Sequence, residues 1–138
     1  AHSVVCLDVG DVTLWAALAL CLDKPGQRVL ASLRLGTMGY SVCAALAAGT
    51  LRPGGAIVAL AGDGGVQMSI NEFATLRQHN IACLIIVLRN GILGRVANED
   101  WGNGEIPRGC DLTNPDFVAL ARAYGGRGHL LTDSDDIA

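Results

Sequence analysis

The chain has 138 residues, enough for one domain with a single core and too few for two ordinary ones. Apolar residues make up 51% and charged residues 17%, which excludes a disordered tail and predicts a folded domain with part of its surface covered by a partner. A net charge of −3, with Lys and Arg scattered singly, gives no basic stripe to neutralise a nucleic-acid backbone, so nucleic acid is not an expected partner.

The N-terminus, Ala1-His2-Ser3-Val4, has neither a basic leader with a hydrophobic stretch nor an initiator Met, and reads as the middle of a longer chain or a processed product. Val4 to Leu7, ahead of Asp8-Val9-Gly10, reads as a strand buried on both faces. Val12 to Cys21 reads as a helix. Its apolar run Leu14 to Leu22 is nine residues long, far short of the roughly 20 a membrane span needs. Val29 to Leu33 is a further strand candidate, Met38 to Ala48 a helix, and Arg52-Pro53-Gly54-Gly55 a turn. Ala56 to Ala61 reads as a second buried strand, ending at Gly62-Asp63-Gly64, and is followed by a helix over Ser69 to Gln78. The third buried strand is Ile81 to Leu88, before Arg89-Asn90-Gly91. Gly91 to Thr113 lacks periodicity and reads as an active-site cover loop. Asn114-Pro115 gives an N-cap-plus-Pro signal for a helix over Asp116 to Tyr124, and Gly128 to Leu131 is a last strand candidate. Strands alternating with helices predict an α/β fold, a three-layer α/β/α domain over residues 1–138 with a mostly parallel sheet.

Five cysteines, Cys6, Cys21, Cys43, Cys83 and Cys110, are odd in number, show no C-x-x-C pair and lie mostly in apolar segments. They read as buried free thiols of a cytoplasmic protein. His2, His79 and His129 lie far apart without ligand spacing and read as surface or capping residues. Glu99, Asp100 and Trp101 fall in the cover loop, where a solvated face and a substrate-facing role are both open.

The chemistry is concentrated at two strand ends. In an open parallel sheet, ligands bind beyond the carboxyl ends of the strands. Gly62-Asp63-Gly64-Gly65 can turn backbone N–H groups toward an anion, and its glycines let that anion come close. A carboxylate inside an anion site needs a cation between them. Asn90 ends the next strand with a second hard oxygen, and Mg²⁺ takes a few protein oxygens together with those of a phosphate. Asp63 and Asn90 therefore suggest a magnesium-bridged diphosphate. G-D-G alone is also an ordinary turn. There is no G-x-x-x-x-G-K-[ST], and Gln67 stands where a dinucleotide fingerprint wants Gly or Ala, which disfavours a nucleotide triphosphatase or a dinucleotide dehydrogenase.

Gly62-Asp63-Gly64, a helix, an apolar strand and then Asn90, twenty-seven residues after Asp63, resembles the thiamine-diphosphate (ThDP) signature of the acetolactate synthase and pyruvate oxidase family. Asp8-Val9-Gly10 with Trp15-Ala16-Ala17, Gly36-Thr37-Met38-Gly39-Tyr40, Leu93-Gly94 and Asn114-Pro115-Asp116-Phe117 also resemble family segments, so the likeness covers nearly the whole chain. The resemblance implies that Asp63, Asn90 and the Ile92 carbonyl ligate Mg²⁺, and that Gly62, Gly64 and Gly65 line the diphosphate, the last two through their N–H groups. It further implies that the Gly36 carbonyl accepts from the cofactor's 4′-amino group, that Met38 wedges beneath the bent cofactor, and that Thr37 and Leu93 are cofactor-binding. Arg89 where the family usually has Asn, and Cys43 where it often has Pro, are departures.

By the same resemblance the reaction is decarboxylation of a 2-oxo acid with the cofactor as electron sink. The resemblance is strongest to acetolactate synthase, which joins a second 2-oxo acid; pyruvate oxidase instead passes electrons to FAD. No Glu here matches the cofactor-activating glutamate, which the family carries on a pyrimidine-binding domain, usually of a neighbouring subunit. The domain alone is then inactive, and the working form is a homodimer or homotetramer. Two alternatives are a catalytically degenerate module of the same fold and a small subunit that pairs with a separate pyrimidine-binding chain.

Overall fold

The computed structural model describes residues 3–99 and 108–133. Four strands, β1 (Ser3–Leu7), β2 (Gln27–Ala31), β3 (Ala56–Gly62) and β4 (Leu84–Leu88), form one all-parallel sheet in the order β2-β1-β3-β4. The central pair, β1 and β3, has the near-continuous apolar sequences expected of parallel strands covered on both faces, and runs in register from Ser3 opposite Ala56 to Leu7 opposite Leu60.

Parallel neighbours need crossovers, and here these are helical. The helices are α1 (Asp11–Ala19), α2 (Tyr40–Leu51), α3 (Asp63–Gln67), α4 (Glu72–Gln78), α5 (Gly94–Glu99) and α6 (Phe117–Ala123). The β1-to-β2 crossover runs one way along the sheet, and the β2-to-β3 and β3-to-β4 crossovers run the other way. Right-handed connections therefore put α1 on one face and α2, α3 and α4 on the opposite face, which gives the three α/β/α layers.

Alanines bring α2 close to the sheet: Ala44, Ala45 and Ala48 pack on Val4, Cys6, Ile57 and Ala59. Gly49 lies hard against Ile81, where a Cβ would come within 2.2 Å of Ile81 Cγ2. A second cluster joins Val42 of α2, Ala61 of β3, Val66 of α3 and Leu76 of α4, with Phe73 and Phe117 against it. Among the described residues no helix is long and apolar enough to cross a membrane.

Several boundaries differ from the sequence expectation for physical reasons. The third expected strand begins at Leu84 and not at Ile81, because Ile81 belongs to the end of α4: Asn80 turns left-handed at φ 51° and the Ile81 N–H donates to the Leu76 carbonyl at 2.9 Å. Contrary to expectation it is not buried on both faces; at the sheet edge, Leu84, Ile86 and Leu88 are exposed. The helix expected from Ser69 starts at Glu72, and the turn before it is a separate helix, α3, that opens directly on Asp63. Met38, expected at a helix start, lies in the loop before α2. Asp116, not Asn114, caps α6, its Oδ1 accepting from Ala119 N–H at 2.9 Å. Gly128 to Leu131 forms no strand; Gly128 packs on the Val118 carbonyl, and Leu130 and Leu131 are exposed.

The expected cover loop is partly regular. Leu93 N–H donates to the Cys110 carbonyl, Leu112 N–H donates to the Gly91 carbonyl, and α5 lies between these two ends. Asp100, Trp101 and the Glu99 side chain fall outside the described residues, as does His2. His79 is the C-cap of α4, and His129 is exposed.

All five cysteines are free, but only Cys6 and Cys110 are buried and Cys83 half-buried; Cys21 and Cys43 are exposed, contrary to expectation, because Cys21 lies in the loop beyond the end of α1 and Cys43 on the exposed side of α2. Burial, and to a lesser degree Cys83 nearby, pushes the Cys6 thiol up to about 11.

Candidate functional site

β1 continues leftward to β2 while β3 lies on its other side, so the carboxyl ends of β1 and β3 flank the crevice where connections diverge. Each of these two strands ends in a buried aspartate: Asp8 is 0% exposed and Asp63 2% exposed.

Asp63 is the first residue of α3. Its Oδ1 accepts from its own Gly64 N–H at 3.1 Å, and its Oδ2 from Gly91 N–H at 2.8 Å and Asn114 Nδ2 at 2.6 Å. The carboxylate is acceptor-only, so Asn114 must turn its NH₂ toward it. The Asn114 Oδ1 then accepts from Gln67 Nε2 at 3.0 Å, and the same Nε2 donates to the Asp63 carbonyl at 3.0 Å. Asp63 thereby fastens the turn after β4 to the end of β3. Three of about four lone-pair directions on this carboxylate are used by the described residues, and the remaining one is on Oδ1.

Asn90 stands one residue before Gly91, exposed at the end of β4, with its Oδ1 accepting from Ile92 N–H at 3.1 Å. Gly91 takes φ +75°, a left-handed turn that a side chain would strain. The oxygens that the sequence resemblance offered for this corner, the Asp63 carboxylate, the Asn90 amide and the Ile92 carbonyl, are all hard and of the kind that suits Mg²⁺. Among the described residues no group of three His, Cys, Asp or Glu side chains could hold a metal, so a cation here would depend on neutral oxygens and those of its ligand.

The start of α3 is closely lined. A Cβ on Gly64 would stand 2.6 Å from Leu93 Cδ2, 3.2 Å from Leu112 Cδ1 and 3.5 Å from Met38 Cε, whereas a Cβ on Gly62 would meet nothing within 4 Å. Of the residues singled out in the sequence, the structure brings Gly62, Asp63, Gly64, Gly65, Met38, Asn90, Ile92 and Leu93 around this corner. Gly36 and Thr37 sit exposed on the same loop as Met38 and are tied back to Ser32, Gly36 N–H to its carbonyl at 2.9 Å and Thr37 N–H to its Oγ at 3.3 Å.

Three residues with evident work here were not singled out as site residues: Asp8, Gln67 and Asn114. Asp8 could have been found by analogy, since, like Asp63, it stands at the end of an apolar strand in a glycine-containing turn, Asp8-Val9-Gly10. Nearby, a groove of about 260 Å³ runs between α1 and α5, lined by Asp11, Leu14, Trp15, Leu18, Arg95 and Asn98. It adjoins the corner through Gly94, where a Cβ would stand 2.6 Å from Asp11 Oδ2 and 3.2 Å from Asn90 Nδ2.

Comparison with known proteins gives this corner a context. Residues 8–138 match the sequence model of a family described as thiamine pyrophosphate enzyme, C-terminal TPP binding domain. The chain is 35% identical over 99% of its length to the large subunit of acetolactate synthase isozyme 2 of Escherichia coli (strain K12), covering 25% of that protein. It is 36% identical over 95% of its length to the acetolactate synthase large subunit of Buchnera aphidicola subsp. Acyrthosiphon pisum, covering 23% of it. A probable acetolactate synthase large subunit of Methanocaldococcus jannaschii is 33% identical over 99% of the chain, which covers 23% of that relative. The chain thus spans about a quarter of the length of these relatives.

Proposed function

The chain belongs to the C-terminal TPP-binding domains of thiamine pyrophosphate enzymes, and from that premise we propose that it binds the diphosphate of ThDP through Mg²⁺ at the Asp63 corner, as one domain of a longer 2-oxo acid decarboxylating enzyme of the acetolactate synthase type. The observation that carries this reading is the Asp63 carboxylate. It is buried at a strand end, tied to the turn that bears Asn90, and has a lone pair on Oδ1 that none of the described residues takes and that suits a cation.

In this reading Asp63, Asn90 and the Ile92 carbonyl hold the metal. The Gly64 and Gly65 N–H groups, with Gly62 giving close access, take the diphosphate. Gly36, Thr37, Met38 and Leu93 seat the rest of the cofactor, the Gly36 carbonyl accepting from its 4′-amino group and Met38 supporting its bend. When bound, the cofactor supplies the electron sink for losing CO₂ from a 2-oxo acid. This chain's own residues bind and orient it, while Leu93, Leu112 and Met38 crowd the start of α3 with apolar atoms.

The activating glutamate is assigned to a pyrimidine-binding domain of a neighbouring subunit, which makes the working enzyme a homodimer or homotetramer of the cytoplasm. A second 2-oxo acid is the proposed acceptor, as the names of the acetolactate synthase relatives suggest. FAD would enter only if the longer chain works as pyruvate oxidase does.

Calorimetric titration of ThDP into the full protein, with Mg²⁺ and then with EDTA, tests the site. Binding that disappears with EDTA is expected. No binding in either condition would make the chain a degenerate module that kept the fold and lost the chemistry.

A further inference from the structure

The geometry points to Asp8 as a positioning residue: its carboxylate sets the loop carrying Gly36 and Met38 against the first turn of α3, and so fixes the spacing between the two halves of the cofactor seat. The inference rests on the ThDP reading given above.

The Asp8 side chain is fully buried, and every donor to it is uncharged. Oδ1 accepts from its own Val9 N–H at 2.8 Å and from Gly39 N–H at 2.9 Å; Oδ2 accepts from Ser41 N–H at 3.3 Å and from the Ser41 hydroxyl at 2.7 Å. A buried carboxylate is costly unless several donors converge on it, and these do. Gly39 is the N-cap of α2 and offers no side-chain cap of its own, so Asp8, reaching across from the end of β1, supplies the capping charge.

The other face of Asp8 lies on α3. A Cβ on Gly65 would stand 2.8 Å from Asp8 Oδ1 and 3.0 Å from its Cγ. One residue earlier, Gly64 sits under Met38 Cε. Asp8 and Met38 thus touch successive residues of the same turn, and the 36–41 loop cannot shift without moving one relative to the other. From below the loop is held once more, the Ser69 hydroxyl donating to the Gly39 carbonyl at 2.9 Å. Asp8 touches neither Asn90 nor the Asp63 carboxylate among its hydrogen-bond partners, so its role is to place the Gly36–Met38 half of the seat and not to hold the metal.

Asp8→Asn separates these functions. Asn keeps the shape but has one acceptor oxygen and an NH₂, so either the Gly39 or the Ser41 donors must face another donor. In the full protein four quantities are measured: melting temperature, ThDP affinity with Mg²⁺, backbone amide deuterium exchange over residues 36–41 without cofactor, and exchange of the bound cofactor's thiazolium C2 proton. The expected result is loop amides exchanging about 10-fold faster, ThDP affinity within about 3-fold of wild type, and C2 proton exchange at least about 10-fold slower, the size expected when a reacting group is slightly misplaced. Loosened amides with unchanged C2 exchange would overturn the assignment. So would affinity and C2 exchange falling together in step with melting temperature, the mark of a purely structural residue. If Asp8→Asn does not fold, Ser41→Ala, which removes the 2.7 Å bond alone, decides between the same outcomes with C2 exchange slowed about 3-fold. Failure of the wild-type protein to bind ThDP with Mg²⁺ would instead overturn the underlying ThDP reading, and this inference with it.

Discussion

Asp8 and Asp63 occupy equivalent places, each buried at the carboxyl end of a central parallel strand, yet their surroundings differ in one respect that decides what each can do. Four donors converge on Asp8, all from Val9, Gly39 and Ser41, and use both oxygens fully. Three converge on Asp63 among the described residues, which leaves one lone pair of its Oδ1 untaken by them. A strand-end carboxylate whose lone pairs are all met by donors acts as a clamp, whereas one left a donor short can take a cation, the role proposed for Asp63. Counting donors, and not burial or charge, separates the two.

The largest effect is expected at Asp63, the proposed ligand. Asp63→Ala in the full protein should weaken ThDP retention by more than about 100-fold in calorimetry, with the fold retained at a cost of about 1–3 kcal/mol for the stranded Gly91 and Asn114 donors. Unchanged affinity would erase the distinction between the two aspartates. Gly65→Ala strikes the clamp, since its methyl would meet the Asp8 carboxylate at 2.8 Å; about 2 kcal/mol of stability should be lost, read as a lower denaturant midpoint at constant slope.

The strand leading to Asp8 also carries a pH signature, because the Cys6 thiol is raised from 9.0 to about 11 by burial and then by Cys83. Below pH 9 the folded and unfolded chains both keep this proton. Between pH 9 and 11 the unfolded chain releases it and the folded chain does not, so stability should fall by roughly 2 kcal/mol as pH rises through that window. Denaturation midpoints at pH 8 and pH 11 check this, and Cys6→Ala should reduce the slope, with Cys83 and Cys43, whose thiols burial also raises, supplying the rest. The smallest effect is expected at Asn114, which orients the Asp63 carboxylate without needing to touch the metal: Asn114→Ala should lower Mg²⁺ affinity about 10-fold in a titration at fixed ThDP. An unaltered Mg²⁺ affinity would leave Asn114 as a fold contact only.

Much of the molecule was legible in the sequence because its signal is local. β1 and β3 announce themselves as unbroken apolar runs, and Asp63 with Asn90 by their places after two such runs. What escaped was set by distant partners. Asp8 meets Gly39 and Ser41 31 and 33 positions away, and Asn114 meets Asp63 51 positions away; polar pairs of this kind leave no periodicity. Asn114-Pro115 carried a helix-start signature, yet Asn114 is held by Asp63 and Gln67, and the cap falls to Asp116. The short helix α3, with sequence Asp-Gly-Gly-Val-Gln, has poor intrinsic propensity and exists because Val66 is buried and Asp63 is pinned at its start. The tail at Gly128 to Leu131 has the composition of a strand but no neighbouring strand among the described residues.

The all-parallel topology has a consequence for how the protein is made. Every ladder in the sheet joins segments separated by a whole helical crossover, and such non-local pairings form late because loop-closure entropy is spent before the contacts repay it. Neither aspartate acquires its donors until β1 and β3 lie side by side with α2 and the β4 turn in place. A nascent chain therefore has no seat for a cofactor at any partially assembled stage, and cofactor capture marks the end of folding instead of guiding it.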